Sequence, residues 1–117
     1  MENLTPQEIV ERTRVIIKRF EQVEGKPWGA EGGTIELMKQ VGELSRLVMG
    51  QEGYYFKNRD KLDAHYLVTK EKIGDELADI LYIIIRLADH YQIDLFDAHL
   101  KALDEAEKSF TQIDNIN

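Results

Sequence analysis

Four oxygen-bearing side chains stand out by their spacing. Glu76 and Asp79 are three residues apart in KEKIGDELADILYIIIRLADHY, residues 70–91, and Gln40 and Glu43 repeat that interval in an earlier segment. On a helix, residues i and i+3 project from one face, so two such helices packed side by side would gather all four groups. A hard divalent cation wants this set: Mg²⁺ takes an octahedron of oxygens and keeps waters and substrate phosphates among them. A carboxylate at the edge of a core is costly unless a cation meets it. The histidines, His65, His90 and His99, have no comparable clustering.

Each residue also has a plainer explanation. Glu71, Asp75 and Glu76 fall in the first two turns of a helix, where acids complement the dipole. Glu43 alone suits any solvated helix face. Asp79 fits that account less well, since it is a poor helix former followed at once by Ile80 and Leu81. Gly42 and Gly74 sit inside expected helices at about 1 kcal/mol each relative to alanine. Close helix approach beside the acids, or tight packing without function, would account for both.

The elements that must carry these residues all read as helices. Thr5-Pro6-Gln7-Glu8 combines a capping residue, proline at the first helical position and an acid completing a capping box. Ile9, Val10, Thr13, Ile16, Ile17, Phe20 and Val23 follow at helical spacing, giving a first helix over 6–24. The glycine-rich residues 25–33 read as a loop, after which Thr34 caps a second helix to about Met49, stopped by Gly50. Its buried stripe is Leu37, Met38, Val41, Leu44, Leu47 and Val48, with Glu36, Lys39, Gln40, Glu43 and Arg46 outside. Residues 51–68 read as a loop leading into the third helix, with a short helix from Asn58 as the alternative. The third helix covers 68–91. Its Ile80, Leu81, Ile83, Ile84, Ile85 and Leu87 ring most of the circumference, so it needs the middle of a bundle or a second subunit to bury it. Asp94 caps a fourth helix to about Phe110, whose core face is Phe96, Leu100, Leu103, Ala106 and Phe110. The last seven residues read as frayed.

The totals agree with one domain over residues 1–117. The chain is 43% hydrophobic and 32% charged, so it can fold around a core. Its net charge of −7 disfavours nucleic acid and anionic membrane as partners, although metal ions let an acidic site hold phosphates. No cysteine is present, which excludes disulfides and thiol chemistry. The first residues lack a basic, apolar signal pattern and no apolar run is long enough to span a bilayer, so a cytoplasmic protein is the expectation.

VGEL at residues 41–44, followed by DELADILYIIIRLAD at 75–89, resembles the MazG-like all-alpha nucleoside triphosphate pyrophosphohydrolases. Their pattern is Glu-Glu-x-x-Glu on one helix and Glu-x-x-Asp on the next long one. The resemblance covers about residues 28–110, and Ile93-Asp94-Leu95 opening the fourth helix is similar too. It implies a four-helix all-α bundle with an oligomeric core, a homodimer or tetramer. It also implies a Mg²⁺-dependent activity, with Mn²⁺ as a substitute, that cleaves a (deoxy)nucleoside triphosphate to monophosphate and pyrophosphate in a house-cleaning role. The resemblance assigns catalysis to Glu43, Glu76 and Asp79, and metal ligation to Gln40, Glu43, Glu76 and Asp79. Substrate binding falls to Lys39, Lys101, Lys108 and Trp28.

The chain departs from that pattern in two places. Lys39 and Gln40 stand where the first motif has two glutamates, so the site loses formal negative charge and Glu36 is a conceivable substitute. Lys101, Glu105 and Lys108 stand where the family usually has Lys, Asn and Arg, and Lys101–Glu105 equally makes a routine i,i+4 pair. The alternative expectation is therefore a catalytically impaired MazG-like dimer that binds nucleotide or regulates.

Overall fold

A computed structural model describes residues 3–116, and among them the regular structure is entirely helical. The order is α1 (Pro6–Val23), α2 (Gly29–Gln51), a short α3 (Arg59–Leu62), a 3₁₀ turn (Ala64–Tyr66), α4 (Lys70–His90) and α5 (Leu95–Ile116). α2 packs along α4, and α1 also lies against α4. Among the described residues, Ile17 of α1, Leu47 of α2 and Ile83 and Ile85 of α4 form the buried hydrophobic core. The all-helical class is as expected.

The N-terminal cap forms as its residues require. Thr5 accepts a hydrogen bond from the Glu8 amide at 3.1 Å, and Glu8 accepts one from the Thr5 amide at 3.4 Å. Thr69 caps α4 by accepting from the Lys72 amide, and Asp94 caps α5 by accepting from the Asp97 amide.

The start of α2 differs from the expected loop. The helix begins at Gly29, and Thr34 is not its cap: its hydroxyl donates back to the Ala30 carbonyl at 2.9 Å. Gly29 has φ +60°, which turns the chain out of Pro27-Trp28 without the penalty a Cβ would bring. Gly33 is glycine because α2 meets α4 there; a Cβ on it would stand 3.0 Å from Leu87 Cδ2. Glycine here reports contact, not a loop.

Residues 51–68 take the alternative course, a short helix after Asn58, which adopts a left-handed φ of 66°. One cation organises this segment. The Arg59 guanidinium lies 3.5 Å from the Tyr66 ring centroid and 4.8 Å from that of Tyr55, and also faces Phe56. Arg46 of α2 ties the turn down by donating to the His65 carbonyl.

α5 is longer than expected. It stays helical through Ile116, although every residue from Asp97 onward is exposed; Asn117 lies outside the described residues. The radius of gyration is 18.6 Å, against about 13 Å for a compact chain of this length. Gly42 and Gly74 face open space, so neither marks a close approach within the protomer.

The glycines therefore sort by environment. A Cβ at Gly50 would stand 2.7 Å from Val68 Cγ2, a stiff β-branched neighbour. Gly50→Ala is expected to lower the stability to urea by about 1 kcal/mol, overpacking outweighing the gain in helix propensity. Gly74→Ala is expected to raise it by about 0.5–1 kcal/mol.

Candidate functional site

Because α2 and α4 run side by side, Glu43 comes next to the acids of α4. Glu76 is half-buried, and one of its carboxylate oxygens, Oε2, is fully buried with no hydrogen-bond partner. Burial raises its pKa above the usual glutamate value, and the negative charges of Asp79, Glu43 and Asp75 raise it further against an opposing pull from Arg46. Glu43, Glu76 and Asp79 thus share one electrostatic neighbourhood. Asp79 is the exposed member.

Arg46 supplies the positive charge here. Its Nη2 donates to Glu43 Oε2 at 2.9 Å, and its side chain is 18% exposed. That hydrogen bond and its charge hold the Glu43 carboxyl below its ordinary pKa, against the effect of burial. Arg46 Nε is itself buried without a partner. The sequence reading put Arg46 on the outer face of its helix; the turn at residues 64–66, folding over α2, is what covers it.

Gln40 faces a neighbouring cleft. Its amide Nε2 donates to Glu36 Oε1 at 3.0 Å, which leaves the amide oxygen available as a neutral donor toward a cation. Gln40, Glu36 and Asp79 line a cleft of about 280 Å³ together with Phe20, Glu24, Trp28, Tyr82 and Arg86. Trp28 is thereby placed in the same cleft as two of the expected metal ligands. Its indole is covered by the Arg86 guanidinium, 4.0 Å from the ring centroid.

Glu24 and Arg86 went unnoticed in the sequence. Arg86 Nη2 donates to Glu24 Oε1 at 2.7 Å and Nη1 to the Tyr82 hydroxyl at 3.3 Å, with both charged side chains nearly buried. Burial alone would lower the arginine pKa, but these bonds outweigh it and raise the value. Glu24 Oε2 has no partner. The available signal was a single arginine in the apolar half of α4, which must find an anion if it is buried.

The lysines are not gathered here. Lys39 is exposed and lies 3.7 Å from Glu36, not paired with Glu43. Lys101 pairs with Asp97 at 3.4 Å in place of Glu105, and Lys108 is exposed on the same outlying helix. A cavity of about 690 Å³ between α1, α4 and the start of α5 contains none of the expected site residues.

Among the described residues, no group of three or more His, Asp or Glu side chains is already disposed around a common metal position. The donor set nevertheless suits Mg²⁺ in type and charge. All four expected ligands offer hard oxygen, and Glu76 keeps a buried oxygen without a hydrogen-bond partner beside two other acids. The obstacle is Arg46, whose hydrogen bond to Glu43 occupies an oxygen that a cation would need. Comparison of the chain with protein-family models, curated proteins and solved structures finds no match.

A pH dependence follows from Glu76. Its pKa is raised on folding, so near and above the ordinary value of 4.5 the folded chain binds more protons than the unfolded one. Stability from this group is present at low pH and is lost as pH rises through the folded pKa. Glu76→Gln removes the buried charge. It is expected to raise the melting temperature at pH 7.5 and to leave it nearly unchanged at pH 4, measured without added metal.

Proposed function

We propose that the chain is a Mg²⁺-dependent nucleoside triphosphate pyrophosphohydrolase of the MazG-like kind, working as a homodimer or tetramer. The observation that carries this reading is the shared neighbourhood of Glu43, Glu76 and Asp79, with a buried Glu76 oxygen that nothing in the chain satisfies. The adjoining cleft supports it, since Gln40 and Asp79 share that cleft with Trp28, Phe20 and Tyr82. Aromatic walls suit the flat face of a base, and a cleft of about 280 Å³ is near the lower end of the usual size of ligand sites.

In this reading Glu43, Glu76 and Asp79 hold the metal with Gln40 as a neutral fourth donor. A Mg²⁺ held there would supply Lewis-acid activation of water and phosphate and charge neutralisation of the pyrophosphate leaving group. The chain's own residues position the reactants. Trp28, stiffened by Arg86, forms one wall of the base cleft. Arg46, bonded to Glu43 at the site's edge, carries a guanidinium whose chemistry would suit phosphate oxygens. The lysines of α5, Lys101 and Lys108, have no part in the cleft of their own protomer.

A second reading, a catalytically impaired MazG-like protein that binds nucleotide or regulates, is favoured by two contacts. Gln40 is engaged by Glu36, and Glu43 is already neutralised by Arg46. Pyrophosphate release from a panel of (deoxy)nucleoside triphosphates with Mg²⁺ or Mn²⁺ separates the two. The enzymatic reading expects turnover that falls by roughly a hundredfold or more in Glu76→Ala and Asp79→Ala, as when a group stabilising the developing charge is removed. It also expects Mg²⁺ with nucleotide to raise the melting temperature of the unmodified chain, since ligands selective for the folded state stabilise it. Turnover no greater than that of Glu76→Ala on every substrate, with no metal-dependent rise, would leave only the second reading.

A further inference from the structure

A site that takes a triphosphate with a cation faces two opposed electrostatic demands. Acids hold the cation, yet the same acids repel the phosphates that come with it. The chain's net charge of −7 sharpens the conflict, so a positive group beside the acids matters. Lys39 is exposed and lies beside Glu36, while Lys101 is paired with Asp97 on α5. Arg86 is enclosed by Glu24, Tyr82 and Trp28, and Arg59 lies over the rings of Tyr55, Phe56 and Tyr66. Arg46 differs from all of these. It bonds Glu43 directly, and its charge also acts on Glu76.

The fold, and not Glu43 alone, keeps Arg46 in this place. Its largely buried side chain also donates to the His65 carbonyl, and its guanidinium carbon lies 5.8 Å from the Tyr66 ring centroid. The bonds to Glu43 and His65 engage two of the five N–H groups that a guanidinium carries. The Nε–H is buried and meets no acceptor. Arg46 thus brings more donor capacity to the acids than the chain itself takes up.

A fixed positive charge here acts with opposite sign on the two parts of a metal–triphosphate complex. It opposes a free cation, because like charges repel and Glu43 Oε2 is already engaged. It favours phosphate oxygens, which a guanidinium fork pairs well. Neither effect requires Arg46 to move. A free cation meets acids already partly neutralised, whereas a cation that arrives with phosphates brings the arginine a new partner. Such mutual dependence is a coupling between two ligands.

We propose that Arg46 sets the specificity of the acid cluster, making it a site for a divalent cation already complexed by a triphosphate and disfavouring the free cation. The inference rests on the pyrophosphohydrolase reading and names the form in which its substrate is taken.

Isothermal titration calorimetry of the full chain carries the test, with two probes. One is Mg²⁺ alone. The other is the Mg²⁺ complex of α,β-imido deoxynucleoside triphosphates of each common base, which resist cleavage at the α phosphorus. Arg46→Gln is expected to bind Mg²⁺ alone about tenfold more tightly than the unmodified chain, and the complex about tenfold more weakly. A purely structural role for Arg46 would weaken both. Arg46→Lys keeps the charge but not the fork, so its Mg²⁺ affinity should stay near the unmodified value while the complex binds more weakly. Should Arg46→Gln lose its helical circular dichroism, Arg46→Lys decides alone, and complex binding equal to that of the unmodified chain would overturn the proposal. Affinities that shift in the same direction in Arg46→Gln, or do not shift, would overturn it and leave the pyrophosphohydrolase reading in place. An unmodified chain that binds none of the imido complexes would remove that reading and the proposal together.

Discussion

The packing of α2 along α4 is the contact on which the rest depends. Gly33 lets α2 approach Leu87, Gly50 lets its far end meet Val68, and Leu47, Ile83 and Ile85 are buried. Two helices held this closely must also bring together whatever their polar edges carry. Here they carry acids. Glu43 and Glu76 are pushed into one neighbourhood by apolar contacts a turn or two away, and their mutual repulsion is a consequence of that burial. A chain without a use for such a cluster would be more stable with neutral residues there, because burying a carboxylate without a full set of partners is unfavourable.

Two arginines meet the electrostatic demand in different ways. Arg86 is enclosed: Glu24, Tyr82 and Trp28 take up its hydrogen bonds and its face, and the pair fastens the end of α1 to the C-terminal part of α4. Arg46 is committed less completely. It bonds Glu43 and the His65 carbonyl, faces Tyr66, and leaves its Nε without a partner. It therefore links the carboxylate cluster to the turn at residues 64–66. Anything that draws Arg46 from Glu43 also bears on the segment that Arg59 and its aromatic neighbours hold together.

The surface is as informative as the core. Among the described residues only four hydrophobic side chains are buried, while Ile16, Phe20, Met38, Leu81 and the apolar residues of α5 remain exposed. Apolar exposure at single sites is ordinary. Exposure along whole helix faces, together with a radius of gyration well above the compact value, leaves the apolar surface only partly covered within the chain.

Local sequence determined the helices, because caps and periodicity act within a turn or two. Thr5 with Glu8, Thr69 and Asp94 each close a helix start as their chemistry requires, and α1 and α4 lie within two residues of where their patterns place them. Glu76 and Asp79 were legible for the same reason, since i and i+3 share a face wherever the helix goes. Tertiary structure decided the remainder. Gly32 and Gly33 read as a loop by composition, and only the approach of Trp28 and Leu87 shows why a helix needs glycine there. The Arg46–Glu43 pair spans one turn, but the folded turn at residues 64–66 decides that it is half-buried. Glu24 and Arg86 are 62 residues apart, beyond any local rule. That α5 stays exposed from Asp97 onward is set by the direction in which it leaves α1 and α4, a long-range property that the spacing of its leucines does not contain.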